Sequence, residues 1–303
     1  MKIKTFAAID IGSNGIRLMI NHIYENEFQP IFNKTQMVRV PIRLGHDSFT
    51  NQHISEQNIV RMISGITSYK LLMEVYNVEK YRAFATSAMR EAKNADEVVK
   101  RIYESCGVEI EIIDGEKEAA IIFQTELSSF VNSNKAFLYV DVGGGSTEVT
   151  LINNGKVIDS KSFPIGTVRF LEGKVPKDYL KNEVKPWIKK ITKGLKIDLI
   201  GSGGNINYVF KQSEKKEGLP LMYNYISRFY KTIKNLSYEQ RIESFNMKPD
   251  RADVIVPALD IYKSIMKWSK AKQIFIPKIG VVDGMIQWMY KTEKESYKKF
   301  VKQ

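Results

Sequence analysis

The sequence predicts an α/β protein built from two related lobes, and three observations carry that prediction. Two glycine-rich turns of one design stand 131 residues apart, Asp10-Ile11-Gly12-Ser13-Asn14-Gly15 and Asp141-Val142-Gly143-Gly144-Gly145-Ser146-Thr147-Glu148. Each is entered from an apolar run, Phe6–Ile9 or Ala136–Val140, and left through another, Arg17–Ile20 or Thr147–Ile152. Each turn is therefore the tip of a β-hairpin, whereas the glycine turn of a dinucleotide-binding or P-loop fold opens a helix. Third, strands and helices alternate along the first half, and the second half repeats its opening. Glycine permits the φ angles and the close approach that let turn amides face an anion.

In chain order, strands are predicted at 5–10, 16–24, 31–33 and 36–43. A helix follows over 55–76, with Ile59, Met62, Ile63, Ile66, Leu72 and Val75 at helical spacing and Ser55 as its N-cap. A strand at 80–85 runs into Ala85-Thr86-Ser87-Ala88-Met89-Arg90, a helix at 95–105 stops at Gly107, and a strand is expected at 108–113. Asp114-Gly115 then opens a helix over 116–130. The second half reads as strands 136–141, 147–152 and 156–163, the last pair joined by Asn153-Asn154-Gly155, a strong hairpin signal. A helix at 176–194, a strand at 197–200, the glycine turn Gly201-Ser202-Gly203-Gly204, helices through most of 221–269, a strand at 272–277 and a final helix from about 283 complete the chain.

At 303 residues the chain is long enough for two substantial cores. No apolar run approaches the ~20 residues that span a bilayer, and Met1–Thr5 leads straight into the first strand, so a cytoplasmic location without a membrane partner is expected. The single Cys106 cannot form an internal disulfide. The net charge of +12 is uneven. Residues 1–125 carry 15 Lys and Arg against 16 Asp and Glu, and residues 126–303 carry 31 against 18. The whole excess lies in the second half. It fits either a solvated lysine surface or a track for a polyanion, with Lys177, Lys181, Lys185, Lys189 and Lys196 at near-helical spacing.

Taken together, the segments Ala8–Leu18, Ala85–Asn94, Gly115–Ala119 and Asp141–Glu148, and more loosely Gly201–Gly204 and Arg251-Ala252-Asp253, resemble the exopolyphosphatase/guanosine pentaphosphate phosphohydrolase (Ppx/GppA) family. The resemblance implies two ribonuclease-H-like lobes of the actin, Hsp70 and sugar-kinase superfamily around a central phosphate-binding cleft. It implies an N-terminal lobe over 1–126, a C-terminal lobe over 127–284, and a helix over 285–303 that returns to the first lobe. One departure stands out. Gly280-Val281-Val282-Asp283-Gly284 replaces the Gly-Leu-Arg-Glu-Gly of many members, and the missing arginine bears on how a long substrate is held.

Phosphoanhydride hydrolysis needs charge neutralisation, an aligned water and a group that activates it. Neutralisation is assigned to the turn residues Gly12, Ser13, Asn14, Gly143, Gly144, Gly145, Ser146 and Thr147, to Gly203, and to Arg17 and Arg90, whose planar forks suit phosphate. Asp141 and Glu148, with Asp10, are expected to hold Mg²⁺ or Mn²⁺. A strand-end Asp can equally cap its own turn. By the resemblance, Glu118 is the water-activating base, and Glu116, two residues away on the helix, faces elsewhere. The expected substrate is inorganic polyphosphate or guanosine pentaphosphate, in a monomer or homodimer. Two other readings remain: an ATP-dependent kinase of the same superfamily and a non-enzymatic polyanion-binding protein. Against nucleic acid stands the acidic set of Asp10, Glu118, Asp141 and Glu148.

Overall fold

A computed structural model describes residues 2–26, 29–123, 135–277 and 280–301. The chain forms two compact units, Met1–Thr125 with Gly280–Gln303, and Glu126–Ile279. The expected lobe boundary at 126/127 and the last part of the helix predicted over 116–130 fall outside the described residues.

The first unit is built on a five-stranded sheet of β1 (Lys2–Ile11), β2 (Ile16–Glu25), β3 (Ile31–Val40), β4 (Lys80–Ala85) and β5 (Glu111–Ile112). Their order is β3-β2-β1-β4-β5. β1 pairs antiparallel with β2 and β2 with β3, whereas β4 lies parallel to β1 and β5 to β4. β1 is apolar without alternation because it is central: Phe6, Ala7, Ala8, Ile9 and Ile11 are all fully buried. The two strands predicted at 31–33 and 36–43 are one, β3, and the strand predicted at 108–113 shrinks to two residues.

The helices of this unit are α1 (Leu44–Asn51), α2 (Glu56–Val75), α3 (Ser87–Glu91), α4 (Ala95–Cys106), α5 (Gly115–Phe123) and, from the end of the chain, α13 (Val281–Val301). Ser55 caps α2 by accepting a bond from the Asn58 amide. The inward face of α2 carries Ile59, Met62, Ile66, Tyr69 and Met73, so the expected Val75 stands on the solvent side instead, 76% exposed. α1 was not expected. It starts from Arg43 in the left-handed region, φ 63°, with no side-chain cap for the sequence to reveal. α13 is tied to the sheet by Lys4 Nζ donating to Glu293 Oε1 at 2.8 Å and Tyr290 donating to Glu25 at 2.9 Å. It packs on α5 so closely that a methyl on Gly284 would overlap the Ile121 carbonyl.

The second unit repeats the plan. β6 (Ala136–Val142), β7 (Thr147–Asn153), β8 (Lys156–Phe163), β9 (Ile197–Ser202), β10 (Leu221–Met222) and β11 (Gln273–Phe275) stand in the order β10-β11-β9-β6-β7-β8. β6, β7 and β8 form the antiparallel meander, β9 lies parallel to β6, and β11 lies parallel to β9. The arrangement matches that of the first sheet, with β10 added at the edge. Both sheets carry the ribonuclease-H-like order, three antiparallel strands continued by two parallel ones.

Around this sheet lie α6 (Thr167–Leu171), α7 (Lys185–Ile191), α8 (Gly204–Gln212), α9 (Tyr223–Lys234), α10 (Tyr238–Phe245), α11 (Pro249–Ala252) and α12 (Ile255–Ser269). The helix predicted over 176–194 is shorter and is entered through a π-turn, Leu180–Val184, in which the Lys185 amide reaches Leu180 O. Pro186 has no N–H to continue the ordinary ladder, which explains the wider turn. Within the expected lysine row, the exposed Lys181 pairs with Asp178 at 2.8 Å. Among the described residues, no helix is long and apolar enough to cross a membrane.

Candidate active site

Each unit presents one hairpin tip, and the two tips close alike. The Gly12 amide donates to Gly15 O at 3.2 Å, and the Gly143 amide donates to Ser146 O at 3.0 Å. Those two first amides are thus used inside their turns.

The tip carbonyls are held from behind. In the first unit Gly45 N donates to Ser13 O at 2.8 Å and Arg43 N to Asn14 O at 3.3 Å. In the second, Thr167 N donates to Gly143 O at 3.0 Å, Val168 N to Gly144 O at 2.8 Å, and Arg169 Nε to Gly145 O at 2.8 Å. Thr147 adds its hydroxyl to Ile165 O at 2.6 Å. A peptide whose carbonyl is pinned to one side turns its N–H to the other. The sequence reading missed the segment 163–169 and its buried Arg169; the signal available was Gly166-Thr167, a glycine followed by a helix start. At Gly166 even a methyl would meet the Gly144 carbonyl and the Gly145 nitrogen.

The strand pairs beside the tips differ in charge. In the first hairpin Asp10 stands opposite Arg17, and Arg17 opposite Arg39. Asp10 Oδ2 lies 3.8 Å from Arg17 Nη1. Burial pushes the Asp10 carboxyl above its ordinary range, and the Arg17 and Arg39 guanidinia offset part of that rise. The structure therefore directs Asp10 toward arginines. Ser13 is buried at this tip, 4% exposed.

In the second hairpin Asp141 stands opposite Glu148. Directly opposed like charges are unfavourable on a sheet without a cation to share. Both carboxylates are oriented by hydroxyls: Ser202 Oγ donates to Asp141 Oδ2 at 3.2 Å and Ser162 Oγ to Glu148 Oε1 at 2.9 Å. The negative field reaches the buried phenols beneath. Burial first, and Asp141 and Glu148 after it, hold Tyr262 well above the ordinary tyrosine range, and Tyr139 is held there by burial and Asp141. Gly203, with φ +113°, passes so near that a Cβ would lie 3.2 Å from Asp141 Oδ1 and 3.1 Å from Val142 O. The third glycine turn thus meets the second.

An oxygen-only pair of this kind suits a hard divalent cation. Among the described residues no cluster of three or more acidic, His or Cys side chains could complete a cage.

Glu118 sits in the first turn of α5, its amide bonded to Asp114 O at 3.0 Å. Its side chain is buried at 9% exposure, whereas Glu116 is exposed. Arg90 Nη1 donates to Ile113 O at 2.7 Å, so Arg90 fixes the segment that enters α5. Within the first unit, Gly12, Ser13, Asn14 and Arg17 are brought together at one tip. Within the second, Gly143–Thr147, Glu148, Asp141 and Gly203 form another group.

Known proteins are similar to this chain over most of its length. The model of the Ppx/GppA phosphatase family matches residues 19–293. A bifunctional 3-dehydroquinate synthase/phosphatase of Fusobacterium nucleatum is 30% identical over 285 residues, 86% of this chain and 43% of that protein, so the chain spans less than half of that relative. Exopolyphosphatase 2 of Mycobacterium tuberculosis is 24% identical over 94% of this chain and 98% of its own length. The crystal structure of an exopolyphosphatase from Cytophaga hutchinsonii superposes with a TM-score of 0.84 at 22% identity, covering 95% of this chain and 98% of that one. The Aquifex aeolicus Ppx/GppA family member gives a TM-score of 0.76 at 25% identity over 96% and 99% of the two chains. The family match runs from within the second strand into the final helix and takes in the whole second hairpin, and the chain belongs to the Ppx/GppA phosphatase family.

Proposed function

We propose that this protein is an exopolyphosphatase, a hydrolase that releases phosphate from the end of inorganic polyphosphate. The observation that carries the reading is the opposed pair Asp141 and Glu148 beside an amide-bearing tip, in a chain of a phosphatase family. The relatives named exopolyphosphatase over nearly their full length support the substrate class.

In this reading the tip amides after Gly12 and the Arg17 guanidinium bind a substrate phosphate at the first tip, where Asp10 fixes Arg17, and the amides after Gly143 bind one at the second. Arg90 holds the entry to α5 and presents its remaining N–H groups to the same anion. Glu118 takes a proton from the attacking water as its oxygen bonds to the terminal phosphorus; the bridging oxygen leaves with the shortened chain, which accepts the electron pair. Asp141 and Glu148 would hold Mg²⁺ or Mn²⁺, which neutralises charge on the phosphates when bound. Ser202 and Ser162 keep those carboxylates turned toward it.

The test is phosphate release from polyphosphate, guanosine pentaphosphate and ATP, each with and without Mg²⁺. Mg²⁺-dependent release from polyphosphate is the expected result. Preferential release from guanosine pentaphosphate would move the reading to that substrate, and transfer from ATP to an acceptor without release would replace it by a kinase. Binding of polyphosphate without any release would leave a polyanion-binding protein.

A further inference from the structure

The run Gly280-Val281-Val282-Asp283-Gly284 has no part in the chemistry above. In the structure it opens α13. Asp283 Oδ2 accepts from the Gly280 amide at 2.9 Å, and Asp283 Oδ1 lies 2.7 Å from Lys34 Nζ of β3. Val281 and Val282 are buried. The start of α13 is thus held to the first sheet by an ion pair and by apolar burial.

Gly284 stands inside that helix, where glycine is a poorer helix former than alanine. Local propensity does not account for it, whereas close approach does. A Cβ at Gly284 would come within 3.0 Å of both the oxygen and the carbonyl carbon of Ile121, which are main-chain atoms of α5. The two helices touch through backbone at this point, and only a residue without a side chain allows it. Ile121 follows Glu118 by three residues, so the two share a face of α5, roughly 4.5 Å apart along its axis. Both are buried. The entry to α5 is fixed separately, by Arg90 Nη1 donating to Ile113 O at 2.7 Å and by the Lys117 amide donating to Asp114 Oδ1 at 2.7 Å. Those bonds anchor the start of the helix, and the Gly284 contact sets where the turn beyond it stands.

We infer that Gly284 is a positioning residue for Glu118: by letting α13 rest on the main chain of α5, it fixes the turn that carries the Glu118 carboxylate. The inference rests on the assignment of Glu118 as the water-activating base. It gives a role in the proton-transfer step to a glycine that meets α5 from the far end of the chain.

The experiment is a double-mutant cycle of Gly284→Ala and Glu118→Gln, read by steady-state phosphate release, calorimetric binding of tripolyphosphate and thermal melting of each protein. The alanine methyl pushes the helices apart by on the order of 1 Å, a misplacement that costs ~10²-fold in rate. Gly284→Ala alone should lower kcat by roughly 10- to 100-fold, with KM and tripolyphosphate affinity within about threefold of wild type. With Glu118 already replaced no base is left to misplace, so the double variant should turn over within about threefold of Glu118→Gln alone. Losses that multiply overturn the inference and leave the proposed function standing. So does a Gly284→Ala protein with the kcat of wild type, or one whose affinity falls in step with kcat. Ile121→Ala loosens the same contact from the side of α5 without overpacking, and it serves where Gly284→Ala does not fold. Its loss of kcat should likewise vanish in the Glu118→Gln background, and a wild-type kcat or a loss that persists there overturns the inference. Normal turnover in Glu118→Gln overturns the base assignment and the positioning role with it. Wild type that releases no phosphate from polyphosphate, guanosine pentaphosphate or ATP overturns the proposed function as a whole.

Discussion

Replacing Gly166 by alanine tests whether the second hairpin tip holds the reacting phosphate. The new methyl would come within 3.0 Å of the Gly144 carbonyl and the Gly145 nitrogen, a separation real Cβ atoms essentially never show. All of the opposing atoms are backbone, so no side chain can swing away. Relief requires the tip, or the segment behind it, to shift on the order of 1 Å, and a misplacement of that size costs ~10²-fold in rate. At 1.36 kcal/mol per factor of ten, that is about 2.7 kcal/mol of barrier. The same overpacking should remove about 1–3 kcal/mol of stability. It would stretch the bonds from Thr167, Val168 and Arg169 to the tip carbonyls, now 2.8–3.1 Å. The assay is steady-state phosphate release with a thermal melt, and Gly280→Ala is the control, since nothing lies within 4 Å of its Cβ. The expected result is kcat/KM lower by ~10²-fold with a Tm lower by a few degrees. Activity within threefold of wild type would refute the reasoning, because the tip would then be neither rigid nor engaged with the reacting group.

Glu148→Gln should weaken activity and raise the Mg²⁺ concentration needed for half-maximal rate; normal turnover at low Mg²⁺ would remove Glu148 from the cation site. Glu118→Gln should lower kcat by at least ~10²-fold with substrate binding kept, while exposed Glu116→Gln stays near wild type; equal effects would dissolve the assignment. For pH, burial pushes Asp47 up, but bonds from the Ser55 hydroxyl and amide and from Asn58 prevail and hold it below 3.8. Its contribution to stability is therefore complete above about pH 4 and lost as pH falls further, so Asp47→Asn should flatten the acid limb of Tm against pH. If the lysines of residues 126–303 guide a long chain, affinity for a hundred-phosphate substrate should fall more steeply with salt than affinity for tripolyphosphate. Equal slopes would make them a solvated surface.

The two hairpins were legible because everything that defines them is local: an acid at the end of an apolar run, glycines, then a second apolar run. Their register also follows once the tip is known, which is why Asp10 with Arg17 and Asp141 with Glu148 face each other. What supports the tips was not legible. The carbonyls of Gly143–Gly145 are held by residues some twenty positions later, and those of Ser13 and Asn14 by a segment beyond β3, across connections that carry no sequence pattern. Arg39 was hidden for the same reason, since β3 read as two strands broken near residue 34 and the row across the sheet was lost. α1 begins at a left-handed arginine instead of a Ser, Thr or Asp cap, and the reading of 176–194 as one helix underrated Pro186. Val75 fits the helical period of α2 yet faces solvent, because Tyr69 and Met73 already fill the inward positions of the last turns.

The matched hairpins also show how a repeated fold can carry tips of unlike charge. Superimposing the turns makes Gly12 equivalent to Gly143 and Asp10 to Asp141, and it sets Arg17 against Glu148. A single position on the second strand therefore decides the sign of each tip. With arginine there, the strand-end Asp is compensated within the sheet by Arg17. With glutamate there, two opposed carboxylates need a cation, and that cation in turn favours the phosphate oxygens that complete its shell. Exchange of the pair is thus more informative than removal. Arg17→Glu should give the first tip the character of the second, losing tripolyphosphate binding without creating a metal site, because Arg39 remains to pair with the new carboxylate. Retained tripolyphosphate affinity in Arg17→Glu would show that position 17 does not set the sign of the first tip.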